Sequence, residues 1–371
     1  MKKLICICLL ISMTLLFASC GAKKVEYTSL GIPTDGKMMV GTPRTPWDMI
    51  FYDGMLYVGN GCYDDDAGPI TVWRYDTSNG TWGENGIVPD EEVSRFLIIG
   101  GELVAPGIDP QGDWTLGNYY VLRDNVWETI RTIPGGLHNF DMVEYDGKLF
   151  AGLGVEPGNI PIAVSSDNGK TFESAKMIKD GSEIDTSNGA FIRVYDLFLY
   201  DGSLYAMFYM TKNNILTLEM YKYADGKFEF YTDLKDRIGA MNVNNRIVAA
   251  EAEFKGKFYF TTGYLFVTDN MNDFSHYKFS NPATVVYDII LKNDAMYILT
   301  GSAREDGTYE ISVYENKTGK EKAFRKIFYF DYGASPNSFE YADGSFYIGI
   351  GSSRIAHREN GEILKVDFSI E

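Results

Sequence analysis

Short apolar segments alternate with tight polar turns along most of this chain. A typical phrase runs from Ile50 to Tyr57, where two apolar segments flank Asp53-Gly54. Asp-Gly between β-forming residues is a strong hairpin signal, because a type I′ turn requires positive φ at both central residues. The pattern therefore predicts a β-hairpin at each such phrase.

The hairpin phrase recurs with turn markers at positions 54, 101, 147, 202, 256, 294 and 344, at intervals of 38 to 55 residues. A second hairpin follows each first one, as in the segments 72–82 and 121–127. Four strands per repeat at this period are the signature of a β-propeller. We predict an all-β fold, a seven-bladed β-propeller with four antiparallel strands per blade. A two-sheet sandwich would not repeat a four-strand phrase in this way, and six or eight blades are the alternative counts.

The N-terminus has the pattern of an export signal. Lys2 and Lys3 precede an apolar run that ends in Ala18-Ser19-Cys20, and this run is too short to span a bilayer. Small residues before a cysteine resemble the lipobox of bacterial lipoproteins. The resemblance implies cleavage after residue 19, acylation of Cys20, and an extracytoplasmic protein anchored to the bacterial cell membrane or outer membrane. A plain secretory signal with a chance cysteine is the alternative.

These features divide the chain into three parts. We expect a lipoprotein signal peptide at 1–19, a tether at 20–40, and a seven-bladed propeller at 41–371. Within the tether, the segment 25–32 resembles an outermost strand, which would either close the ring beside residues 364–370 or only link Cys20 to it. No linker interrupts the repeats, so we expect one domain and a monomer.

Charge and cysteine content narrow the partners. The formal net charge is −17, and loss of the two signal lysines would make it more negative. Nucleic acid is therefore excluded as a partner, because like charges repel. Cys62 is the only thiol expected to stay free, so no intrachain disulfide forms and the core must supply the stability.

One blade turn carries a family resemblance. The segment 165–172, Ser-Ser-Asp-Asn-Gly-Lys-Thr-Phe, resembles the Asp box of sialidases and other propellers, and the segment 73–82 resembles a kelch repeat. In such a turn the aspartate and glycine set a tight bend between the third and fourth strands. The resemblance implies the fold. It implies little about chemistry, because Asp boxes lie on the face away from the usual active site.

Propeller geometry indicates where a ligand would bind. The first strand of each blade lines the central channel, and its starting end shares a face with the loop between strands two and three. At that end, an aromatic residue followed by an acid recurs in four blades. The candidate ligand-binding residues on this face, including neighbouring loops, are Trp47, Asp48, Arg95, Trp114, His138, Asp141, Arg193, Tyr195, Asp196, Tyr287, Asp288 and Asn337.

Two interpretations of these residues stay open. Each aspartate could hydrogen-bond the backbone of the neighbouring blade as part of a blade consensus. Alternatively, the carboxylates could ring the channel mouth and hold sugar hydroxyls or a divalent cation such as calcium, which would raise the melting temperature. Acids so close together would repel one another unless a cation, Arg95 or a proton intervened.

We therefore expect a cell-envelope propeller that binds a glycan, peptide or protein ligand and is not an enzyme. The alternative is a glycan-cleaving enzyme, a sialidase-like hydrolase or a polysaccharide lyase that uses channel-mouth carboxylates. No residues of the sequence identify a catalytic set, and no cofactor is certain.

Overall fold

The computed structural model describes residues 21–112, 114–235, 237–238, 250–352 and 357–370. The predicted signal peptide and Cys20 lie outside these ranges. Within them the chain is almost entirely β-strand, with short 3₁₀ helices at Thr42–Arg44 and Tyr63–Asp65. Neither has the length or apolar character that a membrane-crossing helix needs.

The strands follow one another in the order that the sequence pattern predicts. The first twelve are β1 (Lys23–Lys24), β2 (Thr28–Ser29), β3 (Asp48–Tyr52), β4 (Met55–Gly59), β5 (Ile70–Asp76), β6 (Thr81–Val88), β7 (Asp90–Glu92), β8 (Leu97–Ile99), β9 (Glu102–Pro106), β10 (Ile108–Pro110), β11 (Leu116–Arg123) and β12 (Val126–Pro134). The next ten are β13 (His138–Tyr145), β14 (Lys148–Val155), β15 (Ile162–Ser165), β16 (Glu173–Ser174), β17 (Lys176–Lys179), β18 (Ser182–Glu183), β19 (Ala190–Tyr200), β20 (Ser203–Lys212), β21 (Ile215–Ala224) and β22 (Lys227–Asp233). The last eleven are β23 (Ala250–Phe254), β24 (Lys257–Thr261), β25 (Leu265–Thr268), β26 (Ser275–His276), β27 (Thr284–Lys292), β28 (Ala295–Ala303), β29 (Tyr309–Asn316), β30 (Arg325–Tyr332), β31 (Pro336–Ala342), β32 (Ser345–Ile350) and β33 (Ile363–Asp367).

The strands form an all-β propeller whose blades are mainly antiparallel and four-stranded. Five blades are separate sheets, with the strand orders β3-β4-β5-β6, β8-β9-β11-β12, β23-β24-β25-β26, β1-β30-β29-β28-β27 and β2-β33-β32-β31. A sixth, twelve-stranded sheet contains the meanders β13 to β16 and β19 to β22. Strands β10 and β7 extend this sheet beyond β13.

The prediction of seven separate blades is therefore wrong: the structure has five separate blades, and the third and fourth repeats share one sheet. The reason is strand length. β14 runs on to Val155 and β19 starts early at Ala190, so the two strands pair at Gly154 with Arg193 and at Val155 with Ile192. This pairing continues the hydrogen-bond ladder from one repeat into the next.

The turns explain why the repeat is visible in the sequence. Asp53 and Gly54 have φ values of 47° and 77°, and the same pair of positive φ values occurs at each of the other markers, from Gly100-Gly101 to Asp343-Gly344. Both central residues of each marker turn thus have the backbone conformation of a type I′ hairpin, which confirms the predicted hairpins. Asp, Asn and Gly are the residues that tolerate this left-handed region best.

The two ends of the chain meet in the ring. Thr28 and Ser29 of β2 pair antiparallel with Lys365 and Leu364 of β33, and β1 adds in parallel to β30. Inside, β3 packs beside β31. The N-terminal segment is thus the outermost strand of the last blade as well as a lead into it.

The hydrophobic core lies in layers between neighbouring blades rather than in one central mass. One layer joins Tyr57 and Val72 of the first blade to Phe96 and Tyr120 of the second. Many aromatic pairs in these layers meet edge to face, as Tyr57 does with Trp127 at a ring-centroid distance of 6.4 Å, and this geometry adds to the stabilisation from burial. Inter-blade packing leaves the channel to polar side chains.

Candidate functional site at the channel mouth

The inner-strand aspartates connect adjacent blades. Asp48 accepts hydrogen bonds from its own neighbour Met49 N at 2.8 Å and from Phe96 N of the next blade at 2.6 Å. Asp141 does the same with Met142 N at 2.9 Å and Leu197 N at 2.8 Å.

Asp288 repeats this pattern with Ile289 N at 2.7 Å and Phe339 N at 2.8 Å. Irregular strand register directly before Asp141, Asp196 and Asp288 turns these side chains along the strand, as bulges commonly do. The blade-consensus interpretation is therefore correct for Asp48, Asp141 and Asp288.

Arg95 neutralises one side of the channel. Its guanidinium is buried and lies 2.9 Å from Asp141 Oδ2, 3.2 Å from Asp196 Oδ1 and 3.4 Å from Glu251 Oε1. Burial alone would lower the pKa of Arg95, but the three carboxylates outweigh it and hold the pKa well above its ordinary value. The protein thus supplies its own cation for this carboxylate group.

The other side of the channel uses a different device. Desolvation, with the nearby Asp48 charge as a second cause, raises the pKa of Asp288 well above its ordinary range. Nothing in the described ranges groups three or more Asp, Glu, His or Cys side chains in a way that could hold a metal ion. The calcium hypothesis therefore has no site among these residues, since Arg95 and a raised carboxyl pKa limit the repulsion instead.

A second cluster lies at the mouth of the channel, above Arg95. β10 pairs with β13 at Ile108 and His138 and with β7 at Ile108 and Glu92, which brings Asp109 beside His138. Asp109 takes a left-handed conformation, with φ of 57°. Its Oδ1 lies 3.3 Å from His138 Nδ1. That nitrogen nevertheless makes no hydrogen bond within the described part of the chain.

Arg193 faces this pair from β19, the strand that also carries Asp196. It donates from Nη1 to Tyr195 Oη at 2.9 Å. Three aromatic rings surround its guanidinium, with centroids 5.4 Å away for Phe140, 5.4 Å for Phe191 and 5.6 Å for Tyr195. These distances are within the range of cation–π attraction.

Burial and Arg193 set the protonation states of the cluster. Burial, helped by the Arg193 charge, lowers the pKa of His138 to about 3, so the imidazole is neutral at physiological pH. Burial and the nearby Glu91 charge raise the pKa of Asp109 to about 7, although Arg193 opposes this shift. Near neutral pH the mouth thus holds a charged Arg193, a neutral His138 and a carboxyl group that can gain or lose a proton.

Exposed aromatic side chains flank the cluster. Trp114 is 62% exposed and Phe191 is 63% exposed. Trp114 Nε1 donates to the Pro110 carbonyl at 3.1 Å, which fixes one edge of the indole beside Asp109. Tyr63 completes the group, with its ring 5.3 Å from that of His138. We call Tyr63, Asp109, Trp114, His138, Phe191 and Arg193 the mouth cluster.

The remaining sequence candidates serve the fold. Trp47 donates from Nε1 to the Gly61 carbonyl at 2.8 Å, and Asn337 donates from Nδ2 to the Pro46 carbonyl at 2.9 Å. Tyr287 packs partly buried against the core between the last two blades. These three do not join the mouth cluster. Sequence reasoning in turn passed over Phe191 and Tyr63, for which only their positions at a strand start and in a loop of this face gave a signal.

The Asp-box-like turn has the expected local geometry. Asp167 Oδ1 accepts from Thr171 N at 2.9 Å, and Asp167 Oδ2 accepts from Thr171 Oγ1 at 2.7 Å. Ser165 Oγ accepts from Gly169 N at 2.8 Å. The turn lies at the end of the blade away from the mouth cluster, so it contributes to the blade and not to this site.

Comparison with known proteins gives the fold and no family. No protein-family model and no curated protein matches the chain. Among solved structures, a chain in the crystal structure of the Mitotic Checkpoint Complex is similar, with 11% identity, a TM-score of 0.54, and coverage of 94% of this chain and 93% of that one. BamB from Moraxella catarrhalis has 13% identity, a TM-score of 0.43, and coverage of 86% and 84%. The computationally designed Ika8 protein has 12% identity, a TM-score of 0.47, and coverage of 90% and 98%.

Proposed function

We propose that this protein is a binding propeller that captures a glycan at the mouth cluster. The observation that carries the proposal is the pairing of two exposed aromatic side chains, Trp114 and Phe191, with convergent polar groups on Asp109, His138 and Arg193. A sugar ring can stack its apolar face on an aromatic side chain while its hydroxyls meet carboxyl and imidazole groups. Few precisely placed polar groups beside apolar surface are the usual make-up of a ligand site.

A glycan and peptide array, probed with the purified full chain, tests this proposal. Trp114→Ala and Phe191→Ala should each weaken glycan binding by at least about tenfold, which corresponds to about 1.4 kcal/mol. Val126→Ala is the matched control, because Val126 is 62% exposed at a hairpin turn on the opposite face. Glycan binding that survives both aromatic substitutions, or binding to peptides alone, would refute the proposal.

A glycan-cleaving activity is the second candidate, and Asp109 is the observation that favours it. A carboxyl group with a pKa of about 7 beside a neutral histidine has the protonation behaviour of a general acid. Product analysis of every glycan that binds tests this candidate. Turnover that falls about 10²- to 10⁴-fold in Asp109→Asn would support it, and intact glycans after long incubation would exclude it.

The proposed anchor suggests how the propeller is held. If Cys20 is acylated, three residues link the lipid to β1, which would reach at most about 11 Å. β1 lies on β30, and Lys24 Nζ pairs with Asp331 Oδ2 at 2.9 Å, so the anchor would emerge at the rim of that blade. The channel mouth would then open sideways along an extracytoplasmic membrane surface. A Cys20→Ala chain should leave the membrane fraction while Cys62→Ala stays, and retention of Cys20→Ala would contradict the anchor.

A further inference from the structure

The two channel arginines have opposite surroundings. Arg95 lies within 4.0 Å of three carboxylates. Arg193, in contrast, has no carboxylate partner at ion-pair distance among the residues that the structure describes, and its printed neighbours are a tyrosine hydroxyl and aromatic rings. In a chain with 51 acidic and 34 basic residues, the acids are abundant enough to have supplied one.

The surroundings of Arg193 also hold it in place. Tyr195 accepts its hydrogen bond, and the ring of Phe191 stands over it from a residue with φ of 52°. Positive φ is unusual for a bulky aromatic residue, and such strained conformations concentrate at functional sites. The guanidinium is thus pre-organised, with donor groups that the protein's own acids do not use.

His138 gives a second, independent indication of a ligand. The side chain is 9% exposed, and its Nδ1 has no hydrogen bond among the described residues although Asp109 lies 3.3 Å away. Buried polar atoms are nearly always hydrogen-bonded in a folded protein. An unsatisfied nitrogen at the mouth is therefore suited to a ligand hydroxyl that bridges it to Asp109.

We propose that the ligand is an acidic saccharide that places one uronic acid residue in the mouth cluster, a proposal that rests on the glycan-binding function above. The uronate carboxylate accepts hydrogen bonds from Arg193, its ring stacks on Trp114 or Phe191, and a hydroxyl group reaches Asp109 and His138. Charge-assisted contacts to a guanidinium are among the stronger hydrogen bonds available to a carboxylate.

The surrounding charge limits the ligand to an isolated carboxylate. Asp64 and Glu91 both act electrostatically on Asp109, so they lie near the cluster and repel further negative charge. The net charge of −17 adds a long-range repulsion to any polyanion. A neutral glycan with one acidic residue fits both constraints better than a polyuronate does.

The experiment compares two matched ligands on the purified full chain by titration calorimetry: an oligosaccharide ending in glucuronic acid and the same molecule with its carboxyl group reduced to glucose. We expect the acid to bind at least about tenfold tighter. Arg193→Gln should remove this difference, and Arg193→Lys should keep part of it because a lysine retains the charge without the planar fork. Arg304→Gln is the control, since Arg304 lies in a β28–β29 loop of the same face and pairs with Glu310 and Asp331.

Each outcome has a separate meaning. Equal binding of the acidic and reduced ligands, with no effect of Arg193→Gln, overturns the uronate proposal and leaves glycan binding intact. Binding of neither ligand, nor of any acidic glycan on the array, overturns both proposals. Binding of free peptide C-termini in an Arg193-dependent way, without sugar binding, replaces the saccharide by a peptide carboxylate. Unfolding curves of the variants must match that of the unmodified chain for any of these conclusions to apply.

Discussion

The Asp109 carboxyl group costs the protein stability at neutral and alkaline pH, and Asp109→Asn should recover it. The pKa of Asp109 is raised from its ordinary value of 3.8 to about 7, with burial as the main cause. The folded state therefore binds a proton at Asp109 between about pH 4 and pH 7 that the unfolded state does not bind. The stability linked to this proton is complete below pH 4 and is lost as the pH rises through 7.

The magnitude follows from the size of the shift. One pKa unit corresponds to about 1.36 kcal/mol, so a shift of about three units amounts to about 4 kcal/mol at most. The side chain is 17% exposed, and solvent screening reduces this value. We expect Asp109→Asn to raise the free energy of unfolding by about 2–4 kcal/mol at pH 8 and by less than about 1 kcal/mol at pH 4.5.

Guanidinium titrations at both pH values measure this difference. Asparagine suits the site because Asn tolerates the left-handed conformation that Asp109 adopts, so the substitution adds no backbone strain. Asp66→Asn is the matched control, since Asp66 is exposed and has φ of 47°. A stability gain that is equal at pH 4.5 and pH 8, or absent at pH 8, would refute the burial argument. Any titration of His138 is common to both proteins and cancels in the comparison.

Three further predictions concern the channel and the core. Arg95→Met leaves Asp141, Asp196 and Glu251 without their cation and should lower the free energy of unfolding at pH 8 by about 3–5 kcal/mol, whereas the exposed Arg123→Met should cost no more than about 1 kcal/mol; equal losses would contradict the assigned role of Arg95. Asp48→Ala removes the acceptor for Met49 N and Phe96 N and should cost about 2–5 kcal/mol in the same titration, and a loss no larger than that of the exposed Glu26→Ala would show that the link between the first two blades is dispensable. Cys62 is buried and burial raises the pKa of its thiol to about 12, so a thiol reagent at pH 8 should modify it only as fast as the protein unfolds; rapid modification of the native protein would contradict this burial.

Local chemistry made much of the fold predictable from the sequence. Asp53-Gly54 and the other marker turns require positive φ at two successive residues, and few residue types accept that conformation. Hairpin positions, strand order and the all-β class follow from that restriction and from the alternation of apolar residues. The acid at the start of the inner strands was also visible, because the same inter-blade hydrogen bond is made in several repeats and requires the same residue type each time.

Contacts between distant residues were decided by the tertiary structure alone. Pairing of β14 with β19 depends on how far two strands extend past their blades, and no local residue pattern encodes that length. Arg95 meets Asp196 and Glu251 across 101 and 156 residues of sequence, so its role as the channel cation depends on closure of the ring. The mouth cluster likewise exists because β10 joins β13 and brings Asp109 to His138. The sequence by itself determined which elements form and where they turn, since those depend on neighbouring residues, whereas the partners of each charge depend on the packing of whole blades.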